Sequence, residues 1–273
     1  MQIDRDLPIG VFDSGVGGIS VLAELIISLP NEKYIYYGDS KNAPYGVRTT
    51  EEVKKLAFNV VEILLKKKIK GLVAACNTAT SGAIEDLRKS FNIPIVGVEP
   101  ALKPAVALNK PGEILVLATP VTLREKKFNR LIESINTQHQ IIKLPCPGLP
   151  ELIEETGGAG KEIGDYLKNI FSPLDMDKIG IIVLGCTHYI FIRDEITKLI
   201  GPSIDIIDGN RGAAKQLKRL LARHKLLSKN NNTNETEILF LNSNANEHTL
   251  NLSKRLLDKQ LRYLGWQGKL TYS

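Results

Sequence analysis

The stretch of this chain before Pro100 and the stretch after it repeat one alternation of short β-rich segments and longer amphipathic ones, which limits the fold more than any single motif does. Residues 9–12, 34–37, 71–75 and 95–98 read as strands, with helical spacing of apolar positions between them, as over 51–67. After Pro100 come strands at 114–117, 141–144 and 179–184, with helices expected over 122–135 and 163–169. Strands that alternate with helices in this way build parallel, doubly wound sheets. The expected fold class is therefore α/β, in two related units.

The two units overlay at their strand ends. In the first, one strand ends in Asp13 and Ser14, and another ends at Cys76, 63 residues after Asp13. In the second, one strand ends in Ala118 and Thr119, and another ends at Cys186, 68 residues after Ala118. Each half thus delivers a cysteine from the carboxyl end of a strand, where open α/β sheets hold their ligands. A polar stretch without period at 228–236 is expected as a loop, followed by a strand at 238–241 and a helix over 247–264 that return to the first unit. The expected domains are residues 1–99 plus 210–273 on the Cys76 side and residues 100–209 on the Cys186 side.

Three cysteines in 273 residues, odd in number and widely spaced, exclude a disulfide scaffold and argue against a structural zinc site. Cys146, between Pro145 and Pro147, has no counterpart in the other half and reads as structural. Cys76 and Cys186 each close an apolar strand and precede polar side chains, Asn77 and Thr78 in one case and Thr187 and His188 in the other. A thiol at a strand-to-helix turn lies near a helix N-terminus, whose dipole favours thiolate and lowers the thiol pKa. Two such thiols facing each other across a cleft suit removal of a proton from one face of a carbon and return of a proton to the other. A disulfide between them is the competing reading, against which stand their separation and the lack of a Cys-X-X-Cys motif. Asp13 and His188 are placed to take up or orient a thiol proton. The loop Asp13-Ser14-Gly15-Val16-Gly17-Gly18 fails the dinucleotide fingerprint and has no P-loop lysine, so it is either an anion-accepting helix start or a tight turn.

At these residues the chain resembles the glutamate racemases of the aspartate/glutamate racemase family. The matching segments are IGVFDSGVGGISVL, YYGDSKNAPYG, ACNTATS, IPIVGVEPALKPA and LGCTHY, and the resemblance covers nearly the whole chain, from Pro8 to Gly265. The resemblance implies two pseudo-symmetric doubly wound parallel-sheet domains with the active site in the cleft between them. It implies interconversion of L- and D-glutamate with no cofactor, neither pyridoxal phosphate nor metal, supplying D-glutamate for peptidoglycan, in a homodimer. Cys76 and Cys186 would be the catalytic acid/bases, assisted by Asp13, Glu154 and His188. Substrate contacts would fall on Asp13, Ser14, Tyr45, Gly46, Asn77, Thr78, Thr122, Thr187 and His188. Amides, hydroxyls and backbone N–H groups of this kind can hold both carboxylates of glutamate without an arginine. The chain departs from the family pattern in two places. Where the family has Ala-Thr-X-Gly-Thr and then a serine and a tyrosine, Val121, Glu125 and Phe128 stand in this chain. Where it has Asp-Ser-Gly-Ala, the segment Gly209-Asn210-Arg211 follows Asp208, and it is expected as a domain hinge.

A composition of 43% hydrophobic and 24% charged residues fits a globular protein, and a formal charge of +6 favours anionic partners in general. The first ten residues hold Asp4, Arg5 and Asp6 and no apolar signal core, and apolar windows such as 179–185 are too short to cross a bilayer. A cytoplasmic location without a membrane partner is expected, so the Asn-X-Ser/Thr triplets at Asn231, Asn234 and Asn251 are not read as glycosylation sites. Aspartate racemase is the nearest alternative activity. A gyrase-inhibitor role, reported for some glutamate racemases, is the alternative from another class, and Lys66 to Lys68 and the lysines of 215–229 motivate it. A solvated helix face explains those lysines more simply, and nucleic acid is not expected as a partner.

Overall fold

The computed structural model describes residues 3–230, 235–244 and 247–273, so Asn231 and Asn234 lie outside the described residues. Within the described residues the strands are β1 (Ile9–Asp13), β2 (Tyr34–Gly38), β3 (Gly71–Ala74), β4 (Ile95–Gly97), β5 (Glu113–Ala118), β6 (Ile141–Pro145), β7 (Ile179–Leu184), β8 (Asp205–Asp208), β9 (Glu235–Asn242) and β10 (Lys269–Tyr272). They form two parallel sheets, one of order β10-β9-β2-β1-β3-β4 and one of order β6-β5-β7-β8. Replacing β1–β4 by β5–β8 turns the inner order of the first sheet into that of the second. The two α/β domains therefore share one topology, and β3 and β7, which lead into Cys76 and Cys186, occupy equivalent places.

The larger sheet gains its extra strands at the β2 edge, where β9 pairs from Tyr34 opposite Ile238 to Gly38 opposite Asn242. The strand expected at 238–241 is thus longer than its apolar centre, and β10 is a further strand that the sequence pattern did not mark. Successive strand residues point to opposite faces. Val11 and Val73 pack with Ile19, Leu22 and Leu217, whereas Phe12 and Leu72 pack with Val53, Val60 and Leu87 on the other face. In the smaller sheet Leu115 and Ile182 pack with Ile153 and Leu167, and Val116 and Val183 with Leu102 and Phe128. Helices cover both faces, so the strands read as nearly continuous apolar runs.

The helix Thr50–Lys66 starts at a capping box, in which Thr49 accepts from the Glu52 N–H and the Glu52 carboxylate accepts from the Thr49 N–H. The helix expected over 122–135 is instead two, Pro120–Arg124 and Lys126–Glu133, broken where Glu125 takes an extended conformation at ψ 138°. Thr119 caps the first by accepting from the Thr122 N–H, and Glu125 accepts a 2.5 Å hydrogen bond from the Thr50 hydroxyl of the other domain. A helix absent from the sequence reading, Leu149–Thr156, is bounded by left-handed glycines, Gly148 at φ 74° and Gly157 at φ 69°. Among the described residues no helix is long and apolar enough to cross a membrane.

Candidate active site

Cys76 and Cys186 open onto one cavity. Of the residues expected there, Asp13, Ser14, Tyr45, Gly46, Asn77, Thr78, Thr187 and His188 share its wall. Pro44, Thr119, Pro147, Pro150 and Glu151 also line it and were not singled out from sequence. Thr122 stands behind the wall, fully buried, 3.3 Å from the Thr78 hydroxyl and 3.0 Å from that of Thr119. Cys146 is buried in the core, its thiol donating to the Leu144 carbonyl at 3.5 Å.

Cys76 leaves β3 as the cap of the helix Asn77–Ser90, its sulfur accepting from the Ala79 N–H at 3.4 Å and its thiol donating to the Ser14 hydroxyl at 3.7 Å. The helix start does not lower its pKa as the sequence suggests. Burial, then the negative charge of Asp13, push the thiol up to about 12 and outweigh the Ala79 N–H.

Cys186 is followed by a 3-10 helix, Thr187–Ile192, rather than by an α-helix. Its sulfur lies 3.8 Å from His188 Nδ1, while His188 Nε2 lies 2.7 Å from Glu154 Oε1. The same Glu154 oxygen accepts from the Val16 N–H at 3.1 Å. Burial by itself disfavours a charged His188, yet its bonds to Cys186 and Glu154 carry its pKa well above 6.5. Burial likewise pushes Glu154 up, but the His188 hydrogen bond and charge, with the Val16 N–H, bring it below 4.5. Asp13 is raised above 3.8 by burial, with the His188 charge and the Gly15 and Gly18 N–H groups opposing. Three buried acceptors on residues of the cavity wall, Asp13 Oδ1, Asn77 Oδ1 and Glu151 Oε2, have no hydrogen-bond partner among the described residues.

The family described as Asp/Glu/Hydantoin racemase matches residues 14–217. The glutamate racemase of Clostridium novyi is 53% identical over 252 residues, covering 92% of this chain and 97% of that protein, and that of Clostridium acetobutylicum is 53% identical over 255 residues. The chain belongs to this racemase family. Its structure superimposes on glutamate racemase isoform RacE1 from Bacillus anthracis with a TM-score of 0.79 at 29% identity, covering 98% of both chains. The Escherichia coli glutamate racemase, in complex with L-glutamate and the activator UDP-MurNAc-Ala, gives a TM-score of 0.78 at 27% identity over 97% of this chain and 98% of its own. The aspartate racemase of Picrophilus torridus shares the fold at a TM-score of 0.52 and 14% identity, covering 81% of this chain and 98% of its own. The chain is an amino-acid racemase.

In this racemase the glycine loop after β1 is a docking surface for the histidine and the glutamate. A Cβ on Gly15 would stand 2.2 Å from Glu154 Oε1, and one on Gly17 would stand 2.3 Å from His188 Nδ1. Neither glycine has a left-handed φ, so close approach and not backbone freedom requires them. The partners lie more than 130 residues away, which is why the loop could not be told from a tight turn by sequence. Gly17→Ala is expected to displace the imidazole and to lower kcat about 100-fold, a loss of the size that a shift of about 1 Å in a catalytic group produces. Gly82→Ala, whose new Cβ would meet only ordinary contacts from 3.5 Å, is the matched control and should keep wild-type turnover.

Proposed function

We propose that this racemase interconverts L- and D-glutamate by proton transfer between the substrate Cα and the thiols of Cys76 and Cys186, without a cofactor. The observation that carries the reading is two thiols on one cavity, delivered by β3 and β7 of two domains with one topology. One sulfur, as thiolate, takes the Cα proton from its side. The other, as thiol, gives its proton to the opposite face, so the two exchange protonation states each turnover. Cys76, pushed up to about 12, suits the protonated partner at rest, and His188 can hold the proton that Cys186 gives up. Glu154 acts through His188, keeping the ring oriented and charged.

Glutamate as substrate is supported by the Escherichia coli and Francisella tularensis glutamate racemases, whose structures contain L-glutamate and D-glutamate. The free acceptors of Asp13 and Asn77 suit an ammonium group, and the hydroxyls of Ser14, Thr78, Thr119 and Thr187 suit carboxylates. In this reading residues 1–99 plus 210–273 form the Cys76 lobe and residues 100–209 the Cys186 lobe, supported by the return of β9 and β10 to the first sheet. Supply of D-glutamate for peptidoglycan by a cytoplasmic homodimer is the setting that family membership suggests.

Circular dichroism of L- and D-glutamate and of L- and D-aspartate with the purified protein tests the substrate. Glutamate is expected to racemise from both enantiomers, to lose this on thiol alkylation, and to outrun aspartate about 100-fold, within the range by which a site discriminates against a substrate shorter by one methylene. Preference for aspartate would overturn the assignment.

A further inference from the structure

We infer that Ser20 and Asn210 are positioning residues that clamp the Cys186 loop of one lobe to the glycine loop of the other, and so set the geometry on the Cys186 side of the reaction. The inference rests on the two-thiol reading above. Ser20 lies in the first turn of the helix Ile19–Ser28 and is fully buried. Its hydroxyl lies 3.0 Å from the Thr187 carbonyl and 2.9 Å from the Gly17 carbonyl, and accepts a 2.9 Å hydrogen bond from the Asn210 side-chain amide. One hydroxyl hydrogen is thus shared between two carbonyls, while Asn210 fills the oxygen's acceptor side and orients it.

The two carbonyls belong to the residues that matter for His188. Thr187 joins Cys186 to His188 in the chain, and Gly17 is where the His188 ring lodges. A hydrogen bond between residues 20 and 187 therefore holds both sides of that contact together across the lobes. Packing alone does not account for the residue types. Ser20 is flanked by buried Ile19, Val21, Leu22 and Ala23, where alanine would serve the helix better and bury no polar atom. Asn210 is also buried, and it opens the helix Asn210–Arg223 just after Gly209, whose missing side chain leaves room for the carbonyl of Glu99, in the connection that follows β4. The clamp is thus anchored at the segment where the two interdomain connections touch.

The test compares wild type with Ser20→Ala, Asn210→Ala and the double variant, using glutamate deuterated at Cα, in both directions. Ser20→Ala is expected to lower kcat about tenfold with KM changed less than about twofold, because the loss is of alignment and not of substrate contacts. The double variant should be no slower than Ser20→Ala, since both substitutions remove one relay. The isotope effect on kcat should rise for one enantiomer only, the one whose solvent exchange at Cα Cys186→Ser abolishes. Equal rises for both enantiomers, losses that multiply in the double variant, or a fall in Tm with kcat unchanged would each overturn the clamp. Failure of wild type to racemise glutamate would instead remove the reading on which it rests. Asn210→Ala leaves the Ser20 helix unaltered, so the single-enantiomer signature stays measurable in it if Ser20→Ala does not fold.

Discussion

Replacing either Cys76 or Cys186 by serine is expected to lower glutamate racemisation about 1000-fold, within the range that loss of a general acid or base produces. Serine keeps the shape of both buried side chains, so folding should survive, but its hydroxyl is far too weak an acid to serve as a base in its ionised form at neutral pH. The informative part is the asymmetry. With Cys76→Ser, Cys186 can still remove and return a hydrogen on its own face, so in heavy water one enantiomer of glutamate should take up deuterium at Cα without inverting. Cys186→Ser should do the same with the other enantiomer. If both variants exchange the same enantiomer, or if either racemises at near wild-type rate, the two thiols are not opposed bases and the reading fails.

The thiols were legible in the sequence because what marks them is local. Each ends a run of buried aliphatic residues, β3 or β7, and the repeated strand order makes the two positions equivalent. What escaped the sequence depends on distant partners. Thr119 and Glu151 reach the cavity only because the second domain folds over the first, whereas Thr122, expected as a contact, is turned behind Thr78 and Thr119. The break at Glu125 follows from a capped helix start at Pro120 and a bond to Thr50, neither visible in the helical period of the segment. Asp39 went unnoticed inside the YYGDSKNAPYG segment, although it accepts a 2.6 Å hydrogen bond from the Tyr45 hydroxyl and is held by Asn42, fixing the turn that presents Tyr45 and Gly46 to the cavity. The raised pKa of Cys76 belongs to the same class. A helix dipole can be inferred from a strand-to-helix turn, but the burial and the Asp13 charge that overcome it arise only when β1 and β3 pair.

His188→Gln is expected to lower kcat about 100-fold, mainly in the direction in which Cys186 is the base, and to change the pH dependence of stability in a defined window. The glutamine amide can still donate to Glu154, so orientation is partly kept while the proton-carrying role beside Cys186 is lost. For stability, the folded pKa of His188 lies above its ordinary 6.5, so its contribution is complete below that pH and is lost as pH rises through the folded value. The folded pKa of Glu154 lies below its ordinary 4.5, so its contribution is complete above that pH and is lost as pH falls through the folded value. The charged pair therefore stabilises the wild type over the variant most between about pH 4.5 and 6.5, where both conditions hold. Asp13 is present in both proteins and cancels to first order in the difference. Thermal unfolding of the two proteins across pH 3 to 9 checks this. A difference in Tm that is independent of pH, or that grows steadily above pH 7, would mean that His188 is held neutral by its neighbours, and the imidazole could then not be the store for the Cys186 proton.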